Sequence, residues 1–166
     1  EEPRAAMREA IAVAKGAGRK VAFTTSAEFV IDRHRADFLQ LIDEGQVDLV
    51  FANEAELMAL TETTDIEAAI AAVAPKVETL VCTLSERGAL AMRGGERTEV
   101  AAEPIDQVVD TTGAGDLFAA GFLHGQTHGL DLARSLRLGA ICAAEVISHV
   151  GARPLADLKT LAGELA

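Results

Sequence analysis

Two short apolar runs, Val47 to Ala52 and Thr79 to Leu84, constrain this chain more than any other feature. Runs of this length are the pattern of strands buried on both faces, as in a parallel sheet. Segments of helical character lie around them. Glu2 to Ala17 is predicted as a helix, with Pro3 in its first turn and Gly16 and Gly18 marking its end. Lys20 to Thr24 reads as a short strand. Arg33 to Ile42 spaces Ala36, Leu39 and Ile42 for one helical face. Further helices are predicted over Asn53 to Leu60 and Ile66 to Val73, the second stopped by Pro75. Gly88 to Met92 and Thr98 to Ala101 flank Arg93-Gly94-Gly95-Glu96 as a hairpin.

The last third reads as helical. Leu117 to Gly125 is one helix, and Leu132, Leu136, Ala140, Ala143 and Ile147 line one face of a longer one. On that helix Gly139 and Ala144 permit close packing, and Pro154 precedes a final helix. Strands alternating with helices imply βαβ units and a parallel sheet covered on both faces. No repeat, low-complexity tract or linker divides the chain. Residues 1–166 therefore read as a single α/β domain with one antiparallel hairpin.

The composition, 49% hydrophobic over 166 residues, is that of a globular domain long enough to bury a core. A net charge of −11 argues against a nucleic-acid-binding face, and the absence of Trp and Tyr against stacking platforms for single strands. That charge does not exclude ATP, which a local cradle of N–H groups can hold. No stretch is long enough for a membrane span, and no signal-peptide pattern opens the sequence. Cys82 and Cys142 read as small buried hydrophobes in a reducing compartment, so the cytoplasm is expected. The four His residues lack metal-ligand spacing, so no zinc site is expected.

The chemistry centres on Asp110-Thr111-Thr112-Gly113-Ala114-Gly115-Asp116-Leu117-Phe118. A turn of such small residues brings backbone N–H groups together, and a helix opening there adds free donors and a positive dipole end. That combination suits a phosphate anion. Asp116 then stands beside the cradle as a carboxylate, which anion binding alone does not need. A kinase acting on a hydroxyl does need one, to orient the nucleophile and take its proton. The alternative is a glycine turn opening a helix, with Asp116 a first-turn acid that counters the dipole. The chain has neither a P-loop Gly-x-x-x-x-Gly-Lys-Ser/Thr nor a Gly-x-Ser-x-Gly elbow.

This run, extended through Ala120, Gly121 and Phe122, resembles the second signature of the ribokinase family, the PfkB-type carbohydrate and nucleoside kinases. The resemblance implies that Gly113, Ala114 and Gly115 form the anion hole and that Asp116 is the catalytic base. It implies ATP and magnesium as cofactors, and a sugar or nucleoside hydroxyl as acceptor. Adenosine is preferred, because Ser148 to Pro154 and the stretch from Ser26 to Arg35 are similar to the adenosine-kinase-like subgroup.

Other residues follow from the same resemblance. Asn53 and Glu56 match a motif that organises magnesium through water; the alternative is an N-cap with Glu56 closing a capping box. Thr83, Ser85 and Gly88 match a strand and loop touching the nucleotide phosphates, although the family usually has Gly at the position of Ser85. Here the alternative is a strand ending in a polar turn. Asp110 and Thr112, with carbonyls from His149 to Ala152, match a monovalent cation (potassium) site; otherwise they bond nearby backbone in a turn. Gly139, Cys142 and His149 would border the adenine, or His149 acts as a helix-end cap.

The implied fold is a ribokinase-like three-layer Rossmann-type sandwich with a mostly parallel sheet, here incomplete. Relatives carry an amino-terminal segment with a Gly-rich sugar-binding motif, and a small β lid, before the region matched. The chain therefore reads as a carboxyl-terminal nucleotide-binding portion. It is expected to bind ATP weakly alone, and to need self-association or the missing amino-terminal segment for full activity. The competing reading is a noncatalytic ATP-binding or assembly fragment.

Overall fold

The computed structural model describes residues 2–165. Strands β1 (Ala22–Thr24), β2 (Leu49–Asn53), β3 (Thr79–Thr83), β4 (Ala89–Arg93) and β5 (Glu96–Val100) form one five-stranded sheet in that order. β1 and β2 run parallel, with Ala22 opposite Leu49 and Thr24 opposite Phe51. Between them α2 (Glu28–Asp43) makes the crossover that a parallel pair requires. α3 (Glu54–Thr61) and α4 (Ile66–Val73) fill the connection from β2 to β3, and Gly94-Gly95 turns β4 into β5. The α/β class with a mostly parallel, open sheet is the one expected.

The chain packs as two compact units. The first comprises Glu1–Val81 with Met92–Glu96. It contains α1 (Glu2–Gly16), and α2 packs on α3, which packs on α4. Ile31, Val50, Leu57, Leu60, Val73 and Leu80 are almost fully buried in its core. The helix predicted from Arg33 begins instead at Glu28 and bends at His34, whose φ of −132° is not helical. Exposed Phe29 and the charges from Asp32 to Arg35 hide the true start, which Ile31 reveals only by its burial. β1 begins at Ala22 and not at Lys20. The Val21 N–H donates to Asp48 Oδ2 at 2.7 Å, and Lys15 Nζ donates to both oxygens of that carboxylate at 2.8 Å.

The second unit comprises Cys82–Ala91 with Arg97–Ala166. Its centre is the pair α5 (Ala114–Thr127) and α6 (Leu132–Ile147), followed by α7 (Leu158–Ala162). Gly125, expected to end α5, lies inside it because Ser135 leaves no room for a side chain; a Cβ there would meet Ser135 Oγ at 2.6 Å. Gly121 and Gly139 are likewise pressed against the partner helix, where an added Cβ would fall 2.6 Å from the Leu138 carbonyl oxygen and 2.8 Å from the Phe118 carbonyl oxygen. Both cysteines are buried and neither forms a disulfide among the described residues. Among the described residues no helix is long and apolar enough to cross a membrane.

Candidate functional site

In the second unit the signature segment folds into a turn that launches α5. Gly113 caps the helix with φ of +82°, a left-handed conformation that other residues adopt only with strain. A side chain there would also strike Ala152, at 2.8 Å from its Cβ. Two independent constraints thus select glycine. Because α5 starts at Ala114 and not at Leu117, Gly115 and Asp116 belong to its first turn, where N–H groups have no intrahelical acceptor.

Of the three expected cradle residues, Ala114 donates its N–H to the Thr111 carbonyl at 3.2 Å. The N–H groups of Gly113, Gly115 and Asp116 have no acceptor among the described residues. The open donors therefore keep Gly113 and Gly115 of the expected set, with Asp116 in the place of Ala114. Asp116 is exposed, and its carboxylate makes neither a hydrogen bond nor an ion pair among the described residues.

Asp110 staples this turn to the segment that follows α6. Its Oδ1 accepts the Thr112 N–H and its Oδ2 the Gly151 N–H, each at 2.9 Å. The Val109 N–H bonds the Ile147 carbonyl at 2.8 Å. The Gly151 N–H on Oδ2 thus brings Asp110 to the segment from His149 to Ala152, while Oδ1 holds the turn itself. The Thr112 hydroxyl, the Gly151 N–H and the Thr112 N–H hold the Asp110 carboxyl down to about 2. Since this lies below the ordinary value of 3.8, the staple is complete above that pH and is lost as pH falls through about 2. A carboxyl carbon NMR titration should find Asp110 ionised down to that range. A midpoint near 4 would contradict the geometry.

α6 contributes Glu145, whose side chain is 8% exposed. Its Oε1 accepts the N–H groups of Leu155 and Ala156, both at 2.8 Å. Burial pushes the carboxyl up, but these donors and His149 outweigh it, so the pKa is lowered. His149 Nε2 lies 3.3 Å from Oε1, near enough for charge attraction but without hydrogen-bond geometry. Cys142 and Gly139 face the α5 contact, with Cys142 Sγ 2.9 Å from where a Gly121 Cβ would be.

The turn after β3 is tight. Ser85 has φ of +54°, so it keeps the left-handed backbone of a glycine despite its side chain. Gly88 has φ of +94°, and a Cβ there would lie 2.0 Å from the Val100 carbonyl oxygen. Thr83, the last residue of β3, is half-buried.

In the first unit Asn53 and Glu56 form the capping box of α3. Asn53 Oδ1 accepts the Glu56 N–H at 2.8 Å, and Glu56 Oε2 accepts the Asn53 N–H at 3.0 Å. The fully buried Thr25 hydroxyl donates to the same Oε2 at 2.6 Å. Nothing local in the sequence marks Thr25, which lies just after β1. Among the described residues no cluster of three His, Cys, Asp or Glu could cage a metal. A magnesium ion in such a site would take most of its ligands from phosphates and water.

Residues 2–159 match the sequence profile of the pfkB family carbohydrate kinases. This chain belongs to the pfkB family. Its fold matches the crystal structure of adenosine kinase from Sinorhizobium meliloti with a TM-score of 0.93 and 46% identity, covering 97% of this chain and 49% of that one. It also matches fructokinase from Vibrio cholerae, in its fructose, ADP and calcium ion bound form, with a TM-score of 0.80 and 29% identity, covering 90% of this chain and 51% of that one. Fructoselysine 6-kinase from Escherichia coli is 43% identical over 82 residues, 49% of this chain and 31% of that protein. This pfkB-family chain spans about half or less of the length of these relatives.

Proposed function

We propose that this chain supplies the phosphoryl-transfer and nucleotide-binding portion of an ATP-dependent kinase acting on a nucleoside or sugar hydroxyl. The observation that carries the reading is Gly115. It lies in the first turn of a helix, its φ is not positive, and a Cβ there would meet nothing within 4 Å. Neither packing nor backbone conformation asks for glycine, while glycine weakens a helix. What remains is room for a ligand against the open N–H groups of Gly113, Gly115 and Asp116.

In this reading those groups form the anion hole, flanked by Ala114, and stabilise the charge on the transferring phosphoryl group. Asp116 takes the proton as the acceptor hydroxyl oxygen bonds to the γ-phosphorus and the bond to the ADP oxygen breaks. Magnesium would neutralise phosphate charge, with Asn53 and Glu56 ordering its waters. Glu56 fits that outer role, since Oε2 is already held by Thr25 and by its own helix cap. Thr83, Ser85 and Gly88 are assigned to the nucleotide phosphates, and Gly139, Cys142 and His149 to the adenine border. Asp110 and Thr112 are assigned to a potassium site completed by nearby carbonyls. The ADP in the Vibrio fructokinase structure supports a nucleotide, and the identity to the Sinorhizobium enzyme supports adenosine as acceptor. The proposed setting is the cytoplasm.

Gly115→Ala tests this directly. The substitution should leave the fold as stable or firmer by about 0.5 kcal/mol, while ATP binding, measured by calorimetry with magnesium, weakens at least tenfold. Unchanged binding would remove the cradle from Gly115.

A further inference from the structure

Glu145 is a charged residue in an otherwise apolar stretch of α6, between Ala143-Ala144 and Val146-Ile147. Its side chain is more than nine-tenths buried, and its Oε2 has no hydrogen-bond partner among the described residues. Burying a carboxylate with one oxygen unpaired is costly, so its other contacts must repay it. Those contacts are the Leu155 and Ala156 N–H groups on Oε1. They do not cap α6, whose end is tied separately by the Ser148 hydroxyl on the Ala144 carbonyl at 2.7 Å. They fix the far end of the loop after α6. The near end of that loop is fixed by Asp110, through the Gly151 N–H, and Ala152 between the two anchors presses on Gly113.

We infer that Glu145 is a positioning residue for the amino terminus of α5. Clamping the loop at Leu155 and Ala156 keeps Ala152 seated against Gly113 and Gly151 on Asp110, so the turn that presents the open N–H groups cannot relax. The functional side of this inference rests on the reading of that turn as the phosphate site.

The test is amide hydrogen exchange by NMR on the full chain, comparing wild type with Glu145→Ala, Glu145→Gln and Glu145→Asp. Glu145→Ala should speed exchange about tenfold or more at Leu155 and Ala156, and also at Gly151 and Thr112, whose N–H groups bond Asp110. Core amides at Phe122 and Val146 should stay slow. Glu145→Gln, which keeps an accepting oxygen, should return all four sites to within about threefold of wild type. Should Glu145→Ala fail to fold, Glu145→Asp, one methylene too short to reach both donors, should give its pattern. Acceleration confined to Leu155 and Ala156 would overturn the inference, as would a glutamine variant no better than alanine. ATP affinity with magnesium should fall about tenfold in the alanine variant and recover in the glutamine variant. Unchanged affinity in the alanine variant would also overturn the positioning role. If wild type binds no ATP, the phosphate-site reading fails, and the exchange at Gly151 and Thr112 still decides whether Glu145 holds the turn.

Discussion

Asp116→Asn is expected to lower ATP-dependent phosphoryl transfer by about 10²–10⁴-fold, the usual contribution of a positioned general base. Asparagine keeps the size and the hydrogen-bonding reach of the side chain but cannot accept a proton from a hydroxyl. The fold should not change, because Asp116 is exposed and its carboxylate makes no hydrogen bond or ion pair among the described residues. ATP affinity should stay the same or rise slightly, since a negative charge beside the phosphates is removed. The assay is transfer from ATP to adenosine, ribose and fructose with magnesium, paired with a calorimetric titration of ATP. Equal transfer by wild type and variant would take the base role away from Asp116. A wild-type chain that binds ATP yet phosphorylates none of the three would favour the noncatalytic reading.

Gly88→Ala is expected to cost about 3–5 kcal/mol, adding backbone strain to a steric clash. The position combines φ of +94° and ψ of −134°, which only glycine adopts readily, with a Cβ that would fall 2.0 Å from the Val100 carbonyl oxygen. Both atoms of that clash are tied to backbone, so no side-chain rotation can relieve it. The Gly88 carbonyl also accepts the Leu84 N–H at 2.8 Å, so a shift of Gly88 would open the turn after β3. In a chain of this size such a loss lowers the melting temperature by about 10 °C. Thermal unfolding followed by circular dichroism would measure it, and a shift below about 2 °C would mean that the turn adapts.

Much of this architecture is legible in local pattern. The helix read over Ile66 to Val73 is α4 to the residue, because Pro75 stops it and its apolar spacing is unambiguous. The strands around Val47 to Ala52 and Thr79 to Leu84 are found within two residues of their ends. The misreadings share one cause, in that long-range packing overrides a local signal. Gly125 looks like a helix stop and is instead a contact with Ser135. At Gly88 the backbone from Val100 to Ala102 calls for glycine by itself, beside the phosphate role proposed for that residue. At Ser85 the chain departs from the family's glycine, yet its φ of +54° preserves the glycine-like backbone.

The site divides along the same line. The turn of Asp110 and Thr112 and the capping box of Asn53 and Glu56 are both visible as spacings, whereas the bond from Gly151 to Asp110 reaches across 41 residues and is not. The turn and capping readings of those residues are now geometry, while their roles toward cations rest on the resemblance. Thr25 beneath Glu56 and Glu145 behind the loop could not be read in advance. Each works on residues far away in sequence, and only the folded backbone brings the donors to the carboxylates. An acid inside an apolar helical stretch was the one available signal for Glu145.

The central claim is that the open amides at the start of α5 receive the nucleotide phosphates. Titrating the isotope-labelled chain with ATP and magnesium, while following its amide resonances, tests it most directly. The largest shifts are predicted at Gly113, Gly115 and Asp116, with little change at Ala114, whose N–H is already bonded to Thr111. ATP binding that leaves those three amides unmoved would contradict the account.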